Sequence, residues 1–140
     1  MTPELKPLNW QRKQNIGYTV ARRPDGGMNV TFTDLSEKTV EDWREFSFQH
    51  LMESDRLTRN LYDLRDVVEI PEHVIDLAIE VNSDPSTRNI RLAVLVANEK
   101  VKHAIQSVAA GAVGSGAAIK IFTSLSDAED WLQKAVEQIS

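Results

Sequence analysis

The side chains best able to do chemistry in this chain sit close together: Asp63, Arg65 and Asp66, followed by His73. A carboxylate beside an imidazole can orient the ring and tune its basicity, which is the minimum for general acid–base work. The run Leu61-Tyr62-Asp63-Leu64-Arg65-Asp66-Val67 places the charges where an apolar strand ends, and Pro71 reads as the first residue of a helix that carries His73 in its first turn. Open α/β sheets take ligands at the carboxyl ends of their strands, so these four residues are the candidate ligand-binding set. Catalysis asks for more than they offer. The chain has no cysteine, and Asp66 to Ala78 contains no serine or threonine, so no nucleophile accompanies the pair. Arg65, between two aspartates, also offers the plainer outcome of an ion pair. No catalytic residue is assigned.

Two other chemistries fail on spacing. His50, His73 and His103 fall on three different expected helices, and a helical pair such as His73 with Asp76, three residues on, still lacks a third ligand. A zinc site needs three or four protein ligands, so no metal is expected. Gly111-Ala112-Val113-Gly114-Ser115-Gly116 resembles a nucleotide loop in composition alone. Phosphate cradles run from a strand into a helix amino terminus, whereas these glycines follow a helix and face its negative end. They read as a helix stop with tight helix–sheet packing, and no cofactor is expected.

The elements that must position these residues follow from hydrophobic period. Ile16, Tyr18 and Val20 alternate with smaller residues, then Arg23-Pro24-Asp25-Gly26-Gly27 makes a turn, and Met28, Val30 and Phe32 alternate again, which predicts a β-hairpin. Thr39-Val40-Glu41-Asp42 resembles a capping box, opening helix 1 with Val40, Trp43, Ser47 and Leu51 on one face. Leu57 to Val68 reads as strand 3. Val74, Leu77, Ala78 and Val81 form the stripe of helix 2, and Asn82 to Asn89 a polar loop. Ile90 to Ala97, apolar almost throughout, is a central strand buried on both faces. Asn98 caps helix 3, with stripe Val101, Ala104, Ile105 and Val108; Ala118 to Phe122 is strand 5; and Ser126-Asp127-Ala128-Glu129 reads as a capping box for helix 4, with Trp131, Leu132, Ala135 and Ile139 inward. The fold class is therefore α/β. A single, mostly parallel sheet of about five strands, with an N-terminal antiparallel hairpin, is flanked by four helices. Residues 1–14 are a tail or lead-in with Trp10 as its anchor, and 15–140 one domain.

Helix 1 carries more apolar surface than one face needs. Phe46 and Phe48 lie roughly 200° apart around the axis, so both cannot point to one centre. Trp43, Phe46 and Phe48 are the candidate interface residues, for a second copy or another protein. Ile75 and Ile79, off the main stripe of helix 2, could line a pocket with Phe46 or Phe48.

Leu61-Tyr62-Asp63-Leu64-Arg65-Asp66-Val67, Ile90-Arg91-Leu92-Ala93-Val94-Leu95-Val96, and Ile119-Lys120-Ile121-Phe122 leading to Asp127-Ala128-Glu129-Asp130-Trp131-Leu132 together resemble the STAS-like domains. That superfamily includes the bacterial anti-anti-sigma factors, and the likeness is to its SpoIIAA-like STAS/SEC14 branch, from about Ile16 to Leu132. The resemblance implies a non-enzymatic regulatory module acting by protein contact and, through the SEC14 association, a lipid or other small apolar ligand as the alternative. Anti-anti-sigma members carry a phosphorylatable serine or threonine where the helix after this strand begins. Here Glu69, Pro71, Glu72 and His73 stand in that region, so the phospho-switch does not carry over.

Composition excludes further classes. A net charge of −5 repels a nucleic-acid backbone, and the basic pairs Arg12-Lys13 and Arg22-Arg23 lack interleaved aromatics. Neither Leu92–Ala97 nor the Ala/Gly/Val segment after Val108 approaches the roughly 20 apolar residues of a membrane span. Met1 to Gln14 has no signal-peptide core, and with no cysteine a cytoplasmic location is expected.

Overall fold

In the computed structural model, which describes residues 15–53, 58–83, 90–111 and 118–134, the order is β-β-α-β-α-β-α-β-α. The strands are β1 (Tyr18–Arg22), β2 (Met28–Phe32), β3 (Thr58–Asp63), β4 (Ile90–Leu95) and β5 (Ala118–Phe122); the helices are α1 (Glu37–Glu53), α2 (Glu72–Asn82), α3 (Glu99–Gly111) and α4 (Leu125–Leu132). They form one five-stranded sheet in the order β1-β2-β3-β4-β5, with β1 antiparallel to β2 and every other pair parallel. The α/β class, hairpin and four helices stand as read. Trp10 and the rest of the lead-in, Leu57, the segments 84–89 and 112–117, and Ala135 and Ile139 lie outside the described residues, as do the side chains of His50 and Leu51.

Each parallel step moves to the next strand in one direction. Right-handed crossovers then put the three connecting helices on one face, and only α4, which follows the last strand, is free to cover the other. Side-chain alternation along β4 shows this division. Leu92 and Val94 join the large cluster with Trp43 of α1, Val81 of α2 and Val101 and Ile105 of α3, while Ala93 and Leu95 join Leu61 and the α4 residues Ala128, Trp131 and Leu132. All six residues of β4 are buried, the five apolar ones between the two layers of helices and Arg91 through its bonds to the carbonyls of Leu132 and Lys134.

The hairpin turn uses its two glycines differently. Gly26 takes a φ of 92°, which an L side chain rarely adopts. Gly27 lies against the neighbouring strand, where a Cβ would come within 1.5 Å of the Arg59 carbonyl oxygen. Gly27→Ala must push β2 off β3 at the start of their ladder, and a loss of roughly 3 kcal/mol is expected, read as a lowered urea midpoint. Asn60, buried in the next register position, accepts the Met28 N–H at 3.0 Å, which accounts for an amide inside the sheet.

Three helix starts differ from expectation. Helix α1 begins at Glu37, because Thr39 is buried and its hydroxyl accepts the Gly17 N–H at 2.8 Å and donates to Asp34 at 2.9 Å. Ser36 takes the capping position instead and accepts the Thr39 N–H at 3.4 Å. Pro71 caps α2 in extended conformation (φ −61°, ψ 151°), so the helix starts one residue later. Helix α4 is capped by Ser124, which accepts the Asp127 N–H; Ser126 is exposed in the first turn, and Glu129 is used elsewhere. Asn98 does cap α3, accepting from Val101 N–H at 2.9 Å. Gly111 is the last residue of α3 and packs on Ile79 of α2, so its smallness serves helix–helix contact rather than helix–sheet contact.

Arginines hold α4 in place. Arg23, 2% exposed, donates through Nη1 and Nη2 to both oxygens of Glu129 (2.7 and 2.8 Å), through Nε and Nη2 to Asp25, and through Nη1 to Asn29 at 2.7 Å. At the carboxyl end of the helix, Arg59 Nε donates to the Leu132 carbonyl at 2.6 Å, and Arg91 Nη1 to the carbonyls of Leu132 and Lys134. Cations at this end meet the negative pole of the helix.

Candidate functional site

At the carboxyl end of β3 the expected charges do come together in part. Asp63 Oδ1 accepts the Arg65 N–H and Nε–H, both at 3.0 Å, and Oδ2 accepts Nη2–H at 2.7 Å. This closed fork, with Arg65 holding the Asp63 carboxyl below the usual range against the opposing effect of burial, leaves little acceptor capacity for a ligand. Asp66 and His73 are exposed, and among the described residues no hydrogen bond or ion pair reaches the His73 side chain. The acid–base pair that the spacing allowed is not assembled. His73→Ala is expected to change stability by less than about 0.5 kcal/mol, checked by urea denaturation. Among the described residues no group of three or more His, Asp or Glu side chains converges on a metal-sized space, and no helix is long and apolar enough to cross a membrane.

Three carboxyls lie below the ordinary aspartate value of 3.8. For Asp25, burial pushes upward, but the Arg23 side chain and the Gly27 N–H more than offset it. For Asp34, the Ser36 N–H dominates, burial opposes, and the Thr39 hydroxyl assists. Arg65 does the same for Asp63. A depressed folded pKa means stability that is complete above the unfolded value and lost as pH falls through the folded one. Urea midpoints are therefore expected to fall as pH drops below about 4, with a shallower fall in Asp25→Asn, whose carboxyl no longer titrates.

The interface candidates separate. Trp43 is 7% exposed and belongs to the core, on the face it shares with Val40 and Ser47. Phe46 is half-buried, its ring 6.3 Å from that of Tyr18. Phe48 is half-buried beneath the Arg44 guanidinium, 5.3 Å from the ring centre, and Arg44 in turn pairs with Glu80 of α2 at 3.0 Å.

A different feature lies under α1. Phe32, Tyr62 and Leu64 from the sheet side, Val40 and Trp43 from α1, Val74 and Ala78 from α2, Ile105 and Val108 from α3, and Leu35 and Ile70 from the loops into α1 and α2 enclose a partly open cavity of about 60 Å³. Its exposed wall is all carbon. The two polar groups nearest it are turned on each other: Trp43 Nε1–H donates to Tyr62 Oη at 3.0 Å. Burial raises the Tyr62 phenol pKa, opposed by its bond to Trp43, so the phenol stays neutral. This pocket is not the one expected from Ile75, Ile79, Phe46 and Phe48. It uses the main stripe of α2 and the core face of α1. Val74, Ala78 and Trp43 were legible as core, but the gap between them was not, because a void depends on how three helices settle over a sheet.

No protein-family profile, curated protein or solved structure matches the chain.

Proposed function

We propose that this chain is a non-enzymatic binding domain whose ligand is a small apolar molecule held between α1, α2, α3 and the sheet. The observation that carries this reading is the carbon-walled cavity of about 60 Å³ at the junction of the three helices. Interiors are packed to crystal density, and a gap several times the roughly 10–15 Å³ that holds one water is a cost unless something fills it. An all-carbon wall gives water no partners, so an apolar occupant is the natural one. The self-satisfied Asp63–Arg65 fork and the exposed His73 argue against chemistry at the strand ends. The element order and the parallel run from β2 to β5 also support the STAS-like reading, and a chain without cysteine suits the cytoplasm. Solvent extraction of protein purified from its own host, followed by gas chromatography with mass detection, tests the reading. A near-stoichiometric apolar compound is expected; its absence from repeated preparations, with no thermal shift on adding the host's apolar extract, counts against it.

A second reading, a protein-interaction module acting as a homodimer or with another protein, rests on Val68. That side chain is 77% exposed, in a segment whose Val67 and Val68 carbonyls accept from Asn98 Nδ2 at 3.4 Å. Light scattering on the protein and on Val68→Asp separates the two: a dimer lost in the variant supports contact, and a monomer in both removes self-association.

A further inference from the structure

The walls of the cavity are held in place. On α1, Trp43 is buried and bonded to Tyr62, while Thr39, fully buried, is bonded to Gly17 and Asp34. Helices α2 and α3 interlock where Ile79 fills the space beside Gly111. An occupant must therefore fit the volume as it stands. A cavity of about 150 Å³ in an engineered core holds benzene, roughly 25 Å³ for each carbon, so about 60 Å³ takes two or three carbons. A six-membered ring, or the four carbons of a tert-butyl group, is too large. The lining also shows where the cavity opens. Val40 and Trp43 of α1 are buried, whereas Leu35, Tyr62, Ile70 and Ala78 are half-buried. The opening thus lies on the α2 side, by the loops that enter α1 and α2.

We infer, on the ligand-binding reading above, that the occupant carries an unbranched alkyl chain, inserted methyl end first to a depth of roughly two or three carbons. Each buried methylene tightens binding about fourfold. Two or three alone do not hold a free molecule of that size against the motion it loses on binding, so the occupant continues out through the opening. A linear chain has the narrow cross-section this needs. Its end fills the carbon-walled gap, where water finds no partner, and its remaining carbons and head group stay outside.

The test follows the methyl signals of Val74, Ile105 and Val108 in the full chain by NMR while xenon, 1-hexanol, 3,3-dimethyl-1-butanol and cyclohexanol are added in turn. The three alcohols share one head group and one carbon number, and differ in ending as a linear chain, a tert-butyl group or a ring. Each affinity is referred to that compound's transfer from water to alkane. Xenon is expected to shift these methyls, and 1-hexanol to bind about tenfold tighter than either other alcohol, with shifts at the same residues. If xenon shifts them but the bulky alcohols match 1-hexanol, or no alcohol binds, the linear-chain assignment is overturned while the pocket stands. If neither xenon nor any alcohol shifts them, the ligand-binding reading fails and takes this inference with it.

Discussion

Arg23→Ala is expected to cost about 3 kcal/mol of stability, read as a lowered urea midpoint with an unchanged slope. Arginine has five N–H donors, and here they are shared among Glu129, Asp25 and Asn29. Removing it leaves Asp25, 13% exposed, without its cation and cuts the ionic link between the hairpin turn and α4. Breaking a buried pair costs roughly 3–5 kcal/mol, and the lower end applies because Glu129 is 39% exposed and can regain water. Arg23→Lys should recover only part of the loss, since an ammonium cannot fork to one carboxylate while bonding a second and an amide. The consequence reaches beyond the turn. Helix α4 alone supplies Ala128, Trp131 and Leu132 to the second cluster, so loosening it exposes Leu61, Ala93 and Leu95. Hydrogen exchange in β4 should accelerate in the alanine variant.

The second large effect is expected at Trp43. Trp43→Ala removes the ring that joins α1 to Phe32 and Tyr62, and truncating a buried tryptophan costs about 3–5 kcal/mol. Trp43→Phe should cost less, chiefly the hydrogen bond to Tyr62 and part of the ring area. These variants also separate a core residue from an interface one. An outward Trp43 would lose a partner on truncation with stability changed by no more than about 0.5 kcal/mol. A buried one loses stability first, which calorimetry reads directly.

Much of this architecture was legible because local signals agreed with one another. The period of two before and after Arg23-Pro24-Asp25-Gly26-Gly27, the apolar run at Ile90–Leu95 and the stripe Val101, Ala104, Ile105 and Val108 each admit one element, and each formed. Helix starts were less legible because hydroxyls have more than one use. Thr39 and Ser126 have capping chemistry, but Thr39 is consumed by Gly17 and Asp34, and Ser124 lies in the better place. Arg23 read as half of a scattered basic pair, since its partner Glu129 is 106 residues away. Asp63 and Arg65 met as local sequence suggests; His73 did not join them, because helix spacing fixes neighbours within α2 and not the path of the loop before it. The pocket left the faintest trace, since each of its wall residues reads individually as ordinary core.

The most direct measurement of the central claim is a xenon-pressure series on the methyl spectrum of the wild-type chain and of Ala78→Leu, which places a larger side chain in the cavity. Saturable shifts confined to the cavity methyls, in particular Val74, Ile105 and Val108, and abolished by Ala78→Leu, are the predicted result. Shifts that rise linearly with pressure across surface methyls, or that persist unchanged in Ala78→Leu, would contradict a preformed apolar binding site.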